Sequence, residues 1–381
     1  MSFDFDELID RRGTAALKWD KYAGRDVIPM WVADMDFRSP PAVVEALQRR
    51  VEHGVFGYTD APAELNAVIV AHLQQAYDWT VKPEWLMWLP GLVTGINLVC
   101  SAIGEEGDEV MTATPVYHPF LTGPFNQRRN VVRVPMRLES NRWLWDFERL
   151  EASITPRSKL LLLCNPHNPV GRVFSREELG ELARIAAKHD LVICSDEIHC
   201  GLILDADKPH VPFATLGDDV SARTITLMAA SKTFNLPGLG CAFAVVSDPT
   251  LRKRLERAAA GIVPRVTATG FVATLAAYRD GEPWRTALVD YLRGNRDLVV
   301  DRIRATAGLS VTPLEATYLA WIDVRAAQLQ EPAKFFEQAG VGLYDGKVFD
   351  GEGYVRLNFA CPRSVLVKAL DRMAEALPAR S

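Results

Sequence analysis

From about Trp85 to about Val246, short apolar runs alternate with stretches of helical period. The runs "DEVMTATP", "NVVRVPM", "KLLLLCN", "LVICSDE", "TITLMAAS" and "CAFAVVS" are short and rich in Val, Ile and Leu, as strands buried on both faces are. Between two of them, Ser175 followed by Glu178 makes a capping box, and Leu179, Leu182, Ile185 and Ala186 recur on one face. That pattern predicts a helix ended by His189 and Asp190. The alternation argues for a largely parallel sheet with helices on both faces. Outside this core, "SPPAVVEALQRRVEHG" predicts a helix entered through two prolines, and "TALVDYLRGNRDLVVDRIRAT" predicts a long one. Two further strands, "TYLAWIDV" and "YVRLNFA", follow it. The expected α/β architecture has a large domain over 46–280 and a smaller α/β domain over 281–381, to which 1–45 contributes. No repeat, low-complexity tract or clear linker interrupts it.

Open parallel sheets gather ligands at the carboxyl ends of their strands, where loops and helix N-termini converge. Three such ends carry chemistry here. "NPHNPVG", with Asn168, follows "KLLLLC"; Asp196 ends "LVICS"; Ser231 and Lys232 follow "TITLMAA". Alone, Asn168 reads as a turn residue, Asp196 as a helix cap and Lys232 as a surface side chain. Their recurrence at successive strand ends points instead to one site holding an amide, a carboxylate and an amine. A lysine placed there is desolvated, so its amine is expected to be near neutral or covalently occupied.

Composition narrows the alternatives. The chain has 381 residues, 48% of them hydrophobic, and a formal net charge of -5, enough to bury a large core and without the basic face that nucleic acid requires. No window reaches the roughly 18 apolar residues of a membrane span. The N-terminus "MSFDFDELIDRRG" lacks the basic-then-apolar order of a signal peptide, so the cytoplasm is the expected location. The 6 cysteines form no C-x-x-C pair and read as buried free thiols, with no metal set among them.

"HNPVG", "SDEIH" and "ASKTFNLPG" resemble the signature of fold-type I pyridoxal phosphate enzymes, the class I/II aminotransferase superfamily. Within it, "PMWVADMDFRSPP", "GVFGYTD", "DEIH", "TYLAWIDVR" and "VRLNFACPRS" resemble the cystathionine β-lyase subgroup, the MalY/PatB type of carbon–sulfur β-lyases. The resemblance spans nearly the whole chain. It implies a mostly parallel seven-stranded sheet, pyridoxal 5′-phosphate as cofactor, and a homodimer acting on a small amino-acid thioether.

The resemblance also implies roles. Lys232 would carry the cofactor as a Schiff base and, once freed, remove the substrate α-proton. Asp196 would pair with the pyridine nitrogen, Asn168 and His199 would bond the ring oxygen, and Tyr117 would stack on the ring. The backbone of Gly91, Leu92 and Val93, opening a helix, and the Ser231 hydroxyl would take the phosphate. Arg356 and the backbone at Ala33 would hold the substrate carboxylate, and Tyr58 would reach the neighbouring subunit's site. Two departures stand out: His199 lies where aminotransferases usually have Tyr, and "NLPGLGC" lacks the Arg that usually follows the lysine. Arg265 is a candidate replacement, set against a plain surface role. Most of Trp31, Trp143, Trp145 and Trp321 are expected in the core. The implied activity is a cysteine-S-conjugate β-lyase; an aminotransferase and a regulatory binding protein on the same scaffold are the alternatives.

Overall fold

The computed structural model describes residues 3–377. Its large sheet is built from β1 (Leu86–Leu89), β2 (Glu109–Thr114), β3 (Asn130–Pro135), β4 (Ser158–Cys164), β5 (Val192–Asp196), β6 (Thr224–Met228) and β7 (Ala242–Val245). The spatial order is β1-β7-β6-β5-β4-β2-β3. β2 to β6 run parallel, and β7 is antiparallel to both β1 and β6. All the apolar runs of this region form strands, and the sheet is mostly parallel as expected. β1, "LMWL", was not singled out because half-buried residues beside Trp85 give it no alternation. Its partner β7 supplies the pairing that its own pattern does not announce.

The helices that matter for the site are α1 (Leu17–Asp20), α2 (Pro41–His53), α3 (Leu92–Ala102), α4 (Pro119–Asn126), α5 (Arg176–Lys188), α6 (Ala230–Thr233) and α7 (Glu282–Ala305). α5 carries the complete capping box: Ser175 Oγ accepts from Glu178 N, and the Glu178 side chain accepts from Ser175 N. It buries Leu179, Leu182, Ile185 and Ala186. α2 opens on Pro41 and closes on Gly54, whose φ of 74° is left-handed, the conformation that a glycine C-cap supplies without strain. α7 is 24 residues long. No helix among the described residues is long and apolar enough to cross a membrane.

Toward the C-terminus, β8 (Ser310–Val311), β9 (Leu319–Asp323), β10 (Tyr344–Asp345) and β11 (Tyr354–Asn358) form an antiparallel sheet of order β8-β9-β11-β10. Its core is continuous with the N-terminal segment: Phe5, Met30, Met35 and Val43 pack in one cluster with Leu288, Leu319, Val355 and Leu366. Residues 28–29 also pair in parallel with 341–342. Both chain ends thus share one apolar core, which sets the loop after residue 30 against the end of the large sheet.

Candidate active site

The register of β4, β5 and β6 brings Cys164 opposite Asp196 and Asp196 opposite Leu227. The carboxyl ends therefore open on one side, and a cavity of about 400 Å³ lies there. Its wall includes Ala33, Gly91, Leu92, Val93, Tyr117, Asn168, Asp196, His199, Ser231, Lys232 and Arg356. Every expected site residue but Tyr58 is in this wall. Tyr58 is fully exposed, on an extended segment between α2 and the following helix.

Lys232 does not end a strand, as "TITLMAAS" suggested. β6 stops at Met228, and Ser231 and Lys232 lie in the single turn of α6. The turn swings the amine off the sheet, where Nζ donates to the Ala33 carbonyl (2.5 Å). Burial, and then the charge of Arg356, draw its pKa down to about 8, against the opposing pull of Asp34 and Asp196. An appreciable neutral fraction therefore exists near physiological pH.

Asp196 is buried and accepts from the Ile198 N–H (3.1 Å). Burial pushes its pKa up to about 7; Ile198 and Lys232 oppose this, and Glu197 adds to it. Such a carboxylate is stabilised by a cation placed against it. His199 is buried, its Nδ1 has no hydrogen-bond partner, and burial, helped by the charges of Lys232 and Arg356, lowers its pKa to about 3. It is a neutral imidazole at all working pH values. Tyr117 N donates to the Asn168 carbonyl (3.1 Å), which ties the two backbones together, and both side chains line the cavity.

Arg356 lies mid-strand in β11, fully buried. Nη1 donates to Asn168 Oδ1 (2.9 Å) and Nη2 to the Trp31 carbonyl (3.0 Å), while Nε has no partner. Its plane rests over Phe349 (4.6 Å) and Tyr344 (5.0 Å). Burial lowers its pKa to about 10, so it remains a cation at neutral pH. Among the described residues no carboxylate lies within ion-pair distance of it. A buried, unpaired guanidinium is an anion site awaiting its anion.

The loop from Met30 to Phe37 supplies carbonyls to both Lys232 and Arg356. Asn235, three residues after Lys232, donates to the Met35 (3.1 Å) and Phe37 (2.8 Å) carbonyls and accepts from Met35 N (3.0 Å). Asn358, two residues after Arg356, donates to the Val32 (2.7 Å) and Asp34 (2.6 Å) carbonyls. Neither asparagine was foreseen. Their spacing from the lysine and the arginine is the one signal the sequence offered. Trp31 lies half-buried in the cavity wall, while Trp143, Trp145 and Trp321 are core residues. Thr94, His118 and Tyr344 also line the cavity and were missed.

Pyridoxal phosphate fits these groups. α3 begins at Leu92 after Gly91, with no side-chain cap, so its first N–H groups are free for a phosphate. Asp196 offers a buried carboxylate for a ring cation, and His199 an orphaned ring nitrogen. The stretch that replaces the usual arginine brings Gly240 to the wall. Arg265 is exposed and paired with Asp60, outside the wall. The phosphate would thus rely on backbone N–H groups, the helix dipole and Ser231.

A large domain of parallel strands topped by this cavity defines a pyridoxal phosphate enzyme of fold type I. The chain belongs to the aminotransferase class I and II family, whose pattern matches residues 25–373. It is 36% identical to cystathionine β-lyase PatB of Bacillus subtilis, over 98% of this chain and 100% of that protein. The crystal structure of OvoB superposes with a TM-score of 0.97 at 45% identity, covering 100% of both chains. Cystalysin from Treponema denticola, whose crystal structure contains pyridoxal 5′-phosphate, gives 0.94 at 31% identity over 99% of each chain. The cofactor of this chain is pyridoxal 5′-phosphate.

Proposed function

We propose that the protein is a pyridoxal phosphate-dependent carbon–sulfur β-lyase of the cysteine-S-conjugate type, acting in the cytoplasm on thioethers such as L-cystathionine. One observation carries the reading: a desolvated amine, a buried carboxylate and an unpaired buried guanidinium face one cavity, in a chain similar to a cystathionine β-lyase. The division of the chain near residues 45 and 280 belongs to the same reading, supported by the core that the two chain ends share.

The residues then divide the work. Arg356 takes the substrate α-carboxylate in a two-point grip, with Asn168 orienting the guanidinium and the Ala33 segment closing over it. Lys232 would hold the cofactor, and its amine is the base placed to take the proton from the substrate Cα. The bound cofactor supplies the electron sink that makes this proton removable. Asp196 would keep a positive charge on the ring nitrogen, Asn168 and His199 would bond the ring oxygen, and Tyr117 would pack on the ring. The N–H groups at Gly91, Leu92 and Val93 and the Ser231 hydroxyl would hold the phosphate. After loss of the β-thiol, 2-aminoacrylate hydrolyses to pyruvate and ammonia.

Incubation of the purified holoenzyme with L-cystathionine tests this. Pyruvate and free thiol in equal amounts, without any oxo-acid, are expected. Turnover that requires an oxo-acid and returns a new amino acid would make the protein an aminotransferase.

The same reading includes a homodimer in which Tyr58 completes the partner's site. Supporting it, Tyr58 is fully exposed and Val55, Phe56 and Ile262 are largely exposed, apolar surface that a two-fold interface would cover. Lys232→Ala and Tyr58→Ala chains, each impaired alone, should regain activity when dissociated and reassembled together. Verified mixed dimers that stay inactive would return Tyr58 to its own subunit.

A further inference from the structure

His118 lines the cavity beside Tyr117, and the scheme above gives it no task. Its Nδ1 is buried without a hydrogen-bond partner, and neither ring nitrogen bonds any described residue. Leaving such a nitrogen unpaired costs about 1–3 kcal/mol. His167, which precedes Asn168 in the chain, shows the contrast. Its ring nitrogens lie 3.2 Å from the Cys164 carbonyl and 2.8 Å from the Pro115 carbonyl, so its polarity is spent on the fold.

The His118 ring is held in place all the same. It meets Tyr117 edge-on at 4.8 Å between centroids, Tyr344 at 6.3 Å and Phe349 at 6.5 Å. Tyr344 and Phe349 are the two rings that carry the Arg356 guanidinium. A substrate whose carboxylate sits on Arg356 therefore has its remaining atoms within the neighbourhood of a fixed imidazole. Burial, with the Arg356 charge adding to it, lowers the His118 pKa below the ordinary histidine value. The ring is therefore neutral at working pH and presents one N–H donor and one acceptor.

We propose that His118 is a catalytic residue that donates a hydrogen bond to the departing sulfur. The inference rests on the β-elimination reading. In the step, the Cα proton passes to Lys232 Nζ. The electron pair left on Cα forms the Cα=Cβ bond as the Cβ–S bond breaks, and sulfur leaves with that bond's electrons as a thiolate. His118 N–H stabilises the charge as it develops, without giving up its proton. The thiolate then takes up the proton held by Lys232, so thiol and 2-aminoacrylate form with no outside donor.

The demand on a hydrogen-bond donor rises with the basicity of the leaving thiolate, and this gives the test. Holoenzymes of the wild type, His118→Phe and His118→Asn are compared on S-ethyl-L-cysteine and S-(4-nitrophenyl)-L-cysteine, which release a strongly and a weakly basic thiolate. His118→Phe should lose roughly 10–100-fold in kcat on the ethyl substrate, by analogy with deletion of a donor to a developing anion, but under about threefold on the nitrophenyl one. His118→Asn, which keeps an N–H donor, should recover part of the ethyl rate. Exchange of the α-proton of L-alanine, which has no leaving group, should persist in both variants and shows that the site is folded and loaded. Equal losses on the two thioethers, or loss of alanine exchange in both variants, would overturn the assignment and leave the lyase reading standing. A wild type that releases no thiol from either substrate would remove the lyase reading, and the role of His118 with it.

Discussion

Two charge-rich regions lie on either side of the Met30–Phe37 loop, and they are finished differently. On one side, Lys18 is wholly buried, with Nζ 2.7 Å from Asp36 Oδ2. Arg11 bridges Asp36 (2.7 Å) and Asp34 (2.8 Å), and Trp19 Nε1 donates to Asp36 Oδ1 (2.9 Å). Asp36 is held below the ordinary carboxylate range, the cations of Lys18 and Arg11 outweighing its burial. On the other side, Lys232 rests on a backbone carbonyl, Arg356 on a backbone carbonyl and the Asn168 amide oxygen, and Asp196 receives a single N–H. The first region neutralises itself and the second does not. Burial of charge is common to both; incompleteness belongs to the cavity alone. The partners missing from the fold are those that a cofactor and an amino-acid substrate bring.

If this contrast is right, substitutions on the two sides should differ in kind. The largest effect belongs to Lys232→Ala, which should lower pyruvate release by about 10⁴-fold and abolish the borohydride-reducible cofactor linkage. Full activity in that variant would remove Lys232 from the mechanism. Lys18→Met should instead act on stability, lowering it by about 3–5 kcal/mol in urea unfolding, because it leaves Asp36 buried with one cation fewer. A fall of under about 1 kcal/mol would mean that the cluster is not needed to hold the loop.

Asp196 offers an intermediate effect with a definite sign. In the cofactor-free protein its folded pKa is raised to about 7 from 3.8, so between these values the folded state binds the proton and the unfolded state does not. The stabilisation is present below the lower value and is lost as pH rises through the upper one. Wild-type apoprotein should therefore lose roughly 2 kcal/mol from pH 5 to 7 relative to Asp196→Asn, and cofactor should abolish the difference by pairing the carboxylate. An Asp196→Asn protein with the same pH dependence as wild type would contradict this. The smallest effect is Arg356→Leu on the cofactor-free protein, which should leave stability within about 1 kcal/mol of wild type, or raise it, since no carboxylate is orphaned. Arg172→Leu is the control. Arg172 pairs with Glu315 (3.1 Å) and Glu178 (2.7 Å), and its removal should cost about 3 kcal/mol. Equal losses at the two arginines would erase the distinction between the regions.

The parallel sheet and the residues at its strand ends were legible in the chain because they obey local rules. Apolar runs of strand length and a capping box at Ser175 need no distant partner to be recognised. Arg356, Ala33 and Tyr58 came only through family resemblance, since the physical reasons for them are long-range. β1 was not singled out because its pairing with β7 spans more than 150 residues of sequence, and no local period reports that. Asn235 and Asn358 were passed over for the same reason. An asparagine on a polar stretch looks the same whether it faces water or pins a loop.

What the order of residues established was the α/β architecture, the three chemical groups at successive strand ends and the family to which they conform. Local propensity and side-chain period carry that information along the chain. Folding decided which charges found partners. Lys18 and Lys232 are both lysines beside apolar residues, yet one met a carboxylate at 2.7 Å and the other a carbonyl at 2.5 Å. It likewise decided that His167 would spend its nitrogens on carbonyls while those of His118 stayed free at the cavity wall. Hydrogen bonding and desolvation depend on groups brought together from distant parts of the chain, so only the three-dimensional arrangement distinguishes a finished polar cluster from one built to be completed by a ligand.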